Sequence, residues 1–81
     1  MTNETYNDTA SVLLKHLGAR IRGKRQELKW TQEVFAEKAN INDKEVSHIE
    51  FGRRNITVET LVKISVALDV DPVWLLSNDP F

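Results

Sequence analysis

Apolar residues recur at intervals of three and four through most of this chain, and nowhere do they alternate with polar ones over a strand's length. The first series is Leu14, Leu17, Ile21 and Leu28, with Gly18 and Arg25 on the same face, and predicts a helix from about Thr9 to Leu28. Glycine is costly inside a helix, so Gly18 is expected where a second helix approaches closely. Phe35, Ala36 and Ala39 line a second helix over Gln32–Ala39, with Thr31 as its N-cap and the small Ala36 suited to a close crossing. Asn40 then suits a left-handed helix end, and Ile41 fills the corner. Asn42 caps a third helix, Asp43–Phe51, with Val46 and Ile49 inward and Gly52 as its stop; Glu45 completes the spacing of a capping box. Thr57 caps Val58–Leu68, with Leu61, Ile64 and Leu68 inward, and Asp71-Pro72 opens a short last helix carrying Trp74, Leu75 and Leu76. The expected fold class is all-α, five helices and no sheet. The expected organisation is a flexible tail over residues 1–8, a single domain over 9–77 and a short tail over 78–81.

Length adds that 81 residues hold one core. No apolar run is long enough to span a membrane, and the N-terminus, with Glu4 and Asp8, lacks the basic start of a signal peptide. The absence of cysteine fits a reducing compartment, so a cytoplasmic protein is expected. The formal net charge of −1 argues on its face against a polyanionic partner. The distribution changes that picture. Lys15, Arg20, Arg22, Lys24, Arg25 and Lys29 stand against Glu27 alone, whereas Glu59, Asp69, Asp71 and Asp79 outweigh Lys63 towards the other end. A domain with a basic and an acidic end is compatible with one face turned towards phosphates, and equally with an ordinary solvated helix surface.

The stretch Trp30–Arg54, WTQEVFAEKANINDKEVSHIEFGRR, decides more. It describes a helix, a tight turn and a second helix, a geometry that presents the outer face of the second to a DNA major groove. That outer face is Asp43, Lys44, Ser47 and His48, all polar, while Val46 and Ile49 serve the core. Base readout needs donors and acceptors on a rigid helix, and phosphate contacts need cations, amides or helix N-termini, the last two of which Gln32 combines.

At this point the chain resembles the Cro/cI-type (XRE) helix-turn-helix regulators, whose fold is that of the lambda-repressor-like DNA-binding domain. The resemblance covers about Leu17–Leu76 and rests on Thr-Gln, Phe-Ala, Val-Ser-x-Ile-Glu-x-Gly-Arg and Leu-Asp-Val in that order and spacing. It implies five helices and binding of double-stranded DNA, usually as a homodimer on a partly palindromic operator. It also implies that Asp43, Lys44, Ser47 and His48 face base edges, that Thr31, Gln32, Arg53, Arg54 and Asn55 follow the phosphate backbone, and that Arg25 and Glu50 form an ion pair. Residues 53–70, RRNITVETLVKISVALDV, resemble the restriction–modification controller branch; phage repressors and antitoxins are other branches. Val73, Leu76 and Phe81 exceed what one small core needs and are the expected dimer interface.

Four positions depart from a typical reader. Asp43 and Glu45 bring negative charge to the head of the third helix; Glu45 is expected to cap, and Asp43 either offsets the helix dipole or accepts from a base. Phe51 stands where the family has a polar or basic residue and is expected to cover the core edge. Asn40 replaces a turn glycine. His16 and His48 lack the partners a metal site needs, Trp30 and Trp74 read as core edge, and Ser47 has no activating base, so neither metal, cofactor nor catalysis is expected. The other class that the acidic helix head allows is a protein-interaction module of the same fold without DNA affinity.

Overall fold

The computed structural model describes residues 3–77 and contains five helices: α1 (Asn3–Glu27), α2 (Gln32–Ala39), α3 (Asp43–Glu50), α4 (Val58–Leu68) and α5 (Pro72–Leu76). There is no strand among the described residues. α1 begins at Asn3, inside the stretch expected to be a tail, while residues 1–2 and 78–81 lie outside the described residues.

Side-chain caps start the four later helices. Thr31 Oγ1 accepts from the Val34 N–H at 3.1 Å, Asn42 Oδ1 from Lys44 at 2.8 Å, Thr57 Oγ1 from Thr60 at 3.0 Å and Asp71 Oδ1 from Val73 at 2.8 Å. Each removes one of the unpaired N–H groups a helix start leaves. The first four helices share one ending. A residue in the left-handed region donates three residues back, and the next residue donates five back. Gly52 supplies that residue after α3 (φ 69°), but Lys29, Asn40 and Asp69 supply it after α1, α2 and α4, at φ 62°, 55° and 56°. The left-handed turn at Lys29, which no sequence signal marks, ends α1 at Glu27 and turns Leu28 out of the core, 38 % exposed, against expectation.

Leu17, Ile21, Phe35, Val46, Ile49, Ile64, Leu68 and Leu75 meet at the centre, with Leu61, Ala36 and Ala39 completing the core. Trp30, Ile41 and Trp74 pack against its edge. α5 contributes Leu75 alone to the core; Leu76, expected to exceed what the core needs, is exposed.

Arg20 is a second departure. Counted with the surface cations in the sequence, it is fully buried: its Nη1 donates to the Trp74 carbonyl at 3.2 Å, and its guanidinium carbon lies 4.5 Å from the Trp74 ring centroid. One turn earlier, His16 Nε2 lies 2.5 Å from the Ser77 carbonyl oxygen and 3.0 Å from Arg20 Nε. Arg20 and His16 therefore tie α5 to α1, and the surface charge of α1 rests on Lys15, Arg22, Lys24 and their neighbours.

Candidate nucleic-acid interface

α2 and α3 are joined by the short turn through Asn40 and Ile41, and their N-terminal ends open onto one recess lined by Thr31, Gln32, Glu33, Asp43, Lys44 and Ser47. The first N–H groups of a helix point outwards along its axis with partial positive charge, so a recess between two N-termini favours an anion despite Glu33 and Asp43 on its rim. Asp43 and Lys44 are exposed, and Ser47 and His48 half-buried, while Val46, Ile49 and Glu50 occupy the buried side of α3. The four outer residues are thus gathered on one face, and that face does no core duty.

What holds α3 is a buried ionic junction at its far end. Arg25 of α1 donates twice to Glu50, from Nε to Oε2 at 2.6 Å and from Nη2 to Oε1 at 2.9 Å, and its Nη1 donates to the Trp30 carbonyl at 2.8 Å. Gln32 Nε2 donates to the same Glu50 Oε1 at 3.2 Å. The side chains are 11 % and 1 % exposed, so this is a bidentate pair inside the protein. Two turns before Arg25, Gly18 passes directly against the Ile49 and Glu50 carbonyls. α1 therefore grips the C-terminal half of α3 at two points, and Glu50 links α1, α2 and α3 through one carboxylate.

After α3, Arg53, Arg54 and Asn55 are exposed. Phe51 does not cover the core edge as expected. It caps α3, is 50 % exposed, and carries the Arg53 guanidinium over its ring, 5.0 Å from the centroid. Glu45 does not close a capping box either. Its Oε1 accepts from Arg54 Nη1 at 2.7 Å, and Asn42 caps α3 alone.

The helix-turn-helix family model matches residues 21–75, more than half of the chain. The chain belongs to the helix-turn-helix family, of the Cro/cI (XRE) type. It is 36 % identical over 63 residues to the HTH-type transcriptional regulator ImmR of Bacillus subtilis (strain 168), covering 78 % of this chain and 50 % of ImmR, so it spans about half the length of that relative. The restriction–modification controller protein C.AhdI of Aeromonas hydrophila superposes with a TM-score of 0.72 at 32 % identity, covering 78 % of this chain and 94 % of C.AhdI. SinR, a master regulator for biofilm formation solved in complex with DNA, superposes with a TM-score of 0.72 at 34 % identity, covering 75 % of this chain and 98 % of that one. ImmR is a transcriptional regulator, C.AhdI a restriction–modification controller protein and SinR a regulator of biofilm formation.

In this helix-turn-helix domain the residues expected at a dimer interface are divided. Val73 is 70 % exposed and Leu76 is exposed beside it on α5, while Phe81 lies outside the described residues. α4 adds a stripe that the sequence reading did not use: Val58, Val62 and Val66, at four-residue spacing, are all exposed. Among the described residues no group of His, Cys, Asp and Glu is arranged to hold a metal ion, and no helix is long and apolar enough to cross a membrane.

Proposed function

We propose that this domain is a cytoplasmic, sequence-specific regulator of transcription, not an enzyme, that binds double-stranded DNA with α3 in the major groove. Asp43, Lys44, Ser47 and His48 read base edges. Thr31, Gln32, Arg53, Arg54 and Asn55 hold the phosphate backbone on either side. The observation that carries this reading is the outer face of α3: four polar residues, relieved of packing, on a helix whose other end is clamped by Arg25, Glu50 and Gln32. A reading element must be rigid, because each misplaced donor loses its base, and the clamp supplies that rigidity without entering the reading face. The SinR–DNA complex, on the same fold, supports DNA as the ligand. Two such domains related by a two-fold axis, meeting through the exposed Val73 and Leu76 of α5 and through Phe81, double the base contacts and suit a partly palindromic operator with half-sites about one helical turn apart. Occupying a promoter in this way makes repression the simplest outcome. The rival reading, an interaction module without DNA affinity, leaned on the acidic head of α3, and part of that charge is matched by Arg54.

Base and backbone contacts separate on mutation. Lys44→Ala or His48→Ala is expected to change which operator bases matter, because base-edge contacts carry the sequence information. Arg53→Ala is expected to weaken binding to all sequences alike and to flatten the log–log salt slope by about 0.9. Titrations of an operator and its single-base variants over a range of salt measure both effects. The reverse pattern, Arg53 altering base preference and Lys44 not, means that another face meets the DNA.

A further inference from the structure

We infer that Glu45 is a built-in competitor for the DNA backbone: by holding Arg54, it restrains the sequence-independent part of DNA binding. The inference rests on the DNA-binding reading above and deepens it. Glu45 is the third residue of α3, next to Lys44 and three before His48, so it borders the reading face. With α3 docked as proposed above, a carboxylate there borders the flank where the groove wall brings phosphates. The capping-box spacing offers an innocent role, but that bond is not made; the Glu45 carboxylate instead receives Arg54 Nη1 at 2.7 Å, the length of a charge-assisted bond. Arg54 is one of two adjacent arginines that follow α3. Arg53 rests on the Phe51 ring, whereas Arg54 is paired with a carboxylate.

The side chains of Arg54 and Glu45 are 48 % and 36 % exposed, so the pair is wet, weak and exchangeable rather than a fixed strut. A phosphate that recruits Arg54 must replace a carboxylate already in place and leave that carboxylate beside the polyanion. Arg54 therefore contributes less than a free cation to counterion release, on any sequence. Base contacts made by Lys44, Ser47 and His48 are untouched, and carry a larger share of the total.

The test is the affinity of the full chain for a random-sequence duplex, followed by fluorescence anisotropy over roughly 50 to 200 mM salt. Glu45→Gln keeps the size of the side chain and removes the charge. It is expected to tighten binding at low salt and to steepen the log–log slope by about 0.9, so that its advantage shrinks about 3.5-fold across that range. Combining Glu45→Gln with Arg54→Ala is expected to abolish the extra slope, because the released cation is gone. An unchanged slope in Glu45→Gln, or a steeper slope that survives in the double variant, overturns the inference while leaving the DNA-binding reading intact. A wild-type chain that shows no salt-dependent binding to duplex DNA at all overturns both.

Discussion

Replacing Gly18 by Ala is expected to destabilise the domain by about 2 kcal/mol or more, although alanine is the better helix former. A Cβ built at Gly18 lies against the Ile49 carbonyl oxygen, 2.5 Å from the Glu50 carbonyl oxygen and 2.8 Å from the Glu50 carbonyl carbon. All three are backbone atoms of α3, so no rotamer change relieves them; α1 and α3 must move apart. Overpacking costs about 1–3 kcal/mol and occasionally more, and a backbone contact this short belongs at the upper end. Helix propensity returns only about 1 kcal/mol. The net loss corresponds to a fall in melting temperature of roughly 8–16 °C for a domain of this size. Gly23, five residues on, is the control: nothing lies within 4 Å of a Cβ there, and Gly23→Ala is expected to raise stability by about 0.5–1 kcal/mol. Thermal unfolding of the two variants side by side decides the matter. A Gly18→Ala protein as stable as the wild type would show that the two helices do not touch there.

Glu50→Ala is expected to cost about 3–5 kcal/mol, the usual penalty for removing one partner of a buried ion pair. The loss is larger than the pair's net worth, because Arg25 would remain, 11 % exposed, with its charge unmatched. Gln32 would lose its acceptor as well. Set against the 5–15 kcal/mol that hold a typical domain together, this is a large fraction of the whole. Replacing both members, Arg25→Met with Glu50→Leu, is expected to recover most of the stability, since an apolar pair needs no desolvation of charge. Urea unfolding of the single and double variants gives the comparison. A loss below about 1 kcal/mol in Glu50→Ala would place the pair in the range of solvated surface bridges.

The helices were legible because their signals are local. Periodicity marked the buried faces, and Thr31, Asn42, Thr57 and Asp71 each stand one residue before the helix they cap. Asn40 gave away the left-handed turn because asparagine tolerates that conformation; Lys29 did not, because lysine is chosen for it only by the surrounding chain. Gly18 stood out as a costly residue whose compensation had to be a neighbour. The misreadings share another cause. Whether Arg20 is a surface cation or a buried donor depends on where Trp74 comes to lie, and these residues are far apart in sequence. Glu45 satisfies a local capping pattern, yet Arg54, brought back by the turn at Gly52, offers it a full charge instead of a backbone N–H. Apolarity alone points Phe51 to the core edge, and its use as a rest for Arg53 is invisible until the turn is built. The placement of Asp43, Lys44, Ser47 and His48 on the outer side of α3, by contrast, was legible, because those positions are set by the helix period and need no distant partner.

Selection of binding sites from a pool of randomised duplexes tests the central claim most directly, with wild type and Lys44→Ala carried through in parallel. The expected result is enrichment by the wild type of a two-fold symmetric site, with half-sites about one helical turn apart, and a changed base preference within each half-site for Lys44→Ala. A wild-type pool that stays random after selection would contradict sequence reading by α3. An enriched site that is unchanged in Lys44→Ala, His48→Ala and Ser47→Ala alike would contradict it equally.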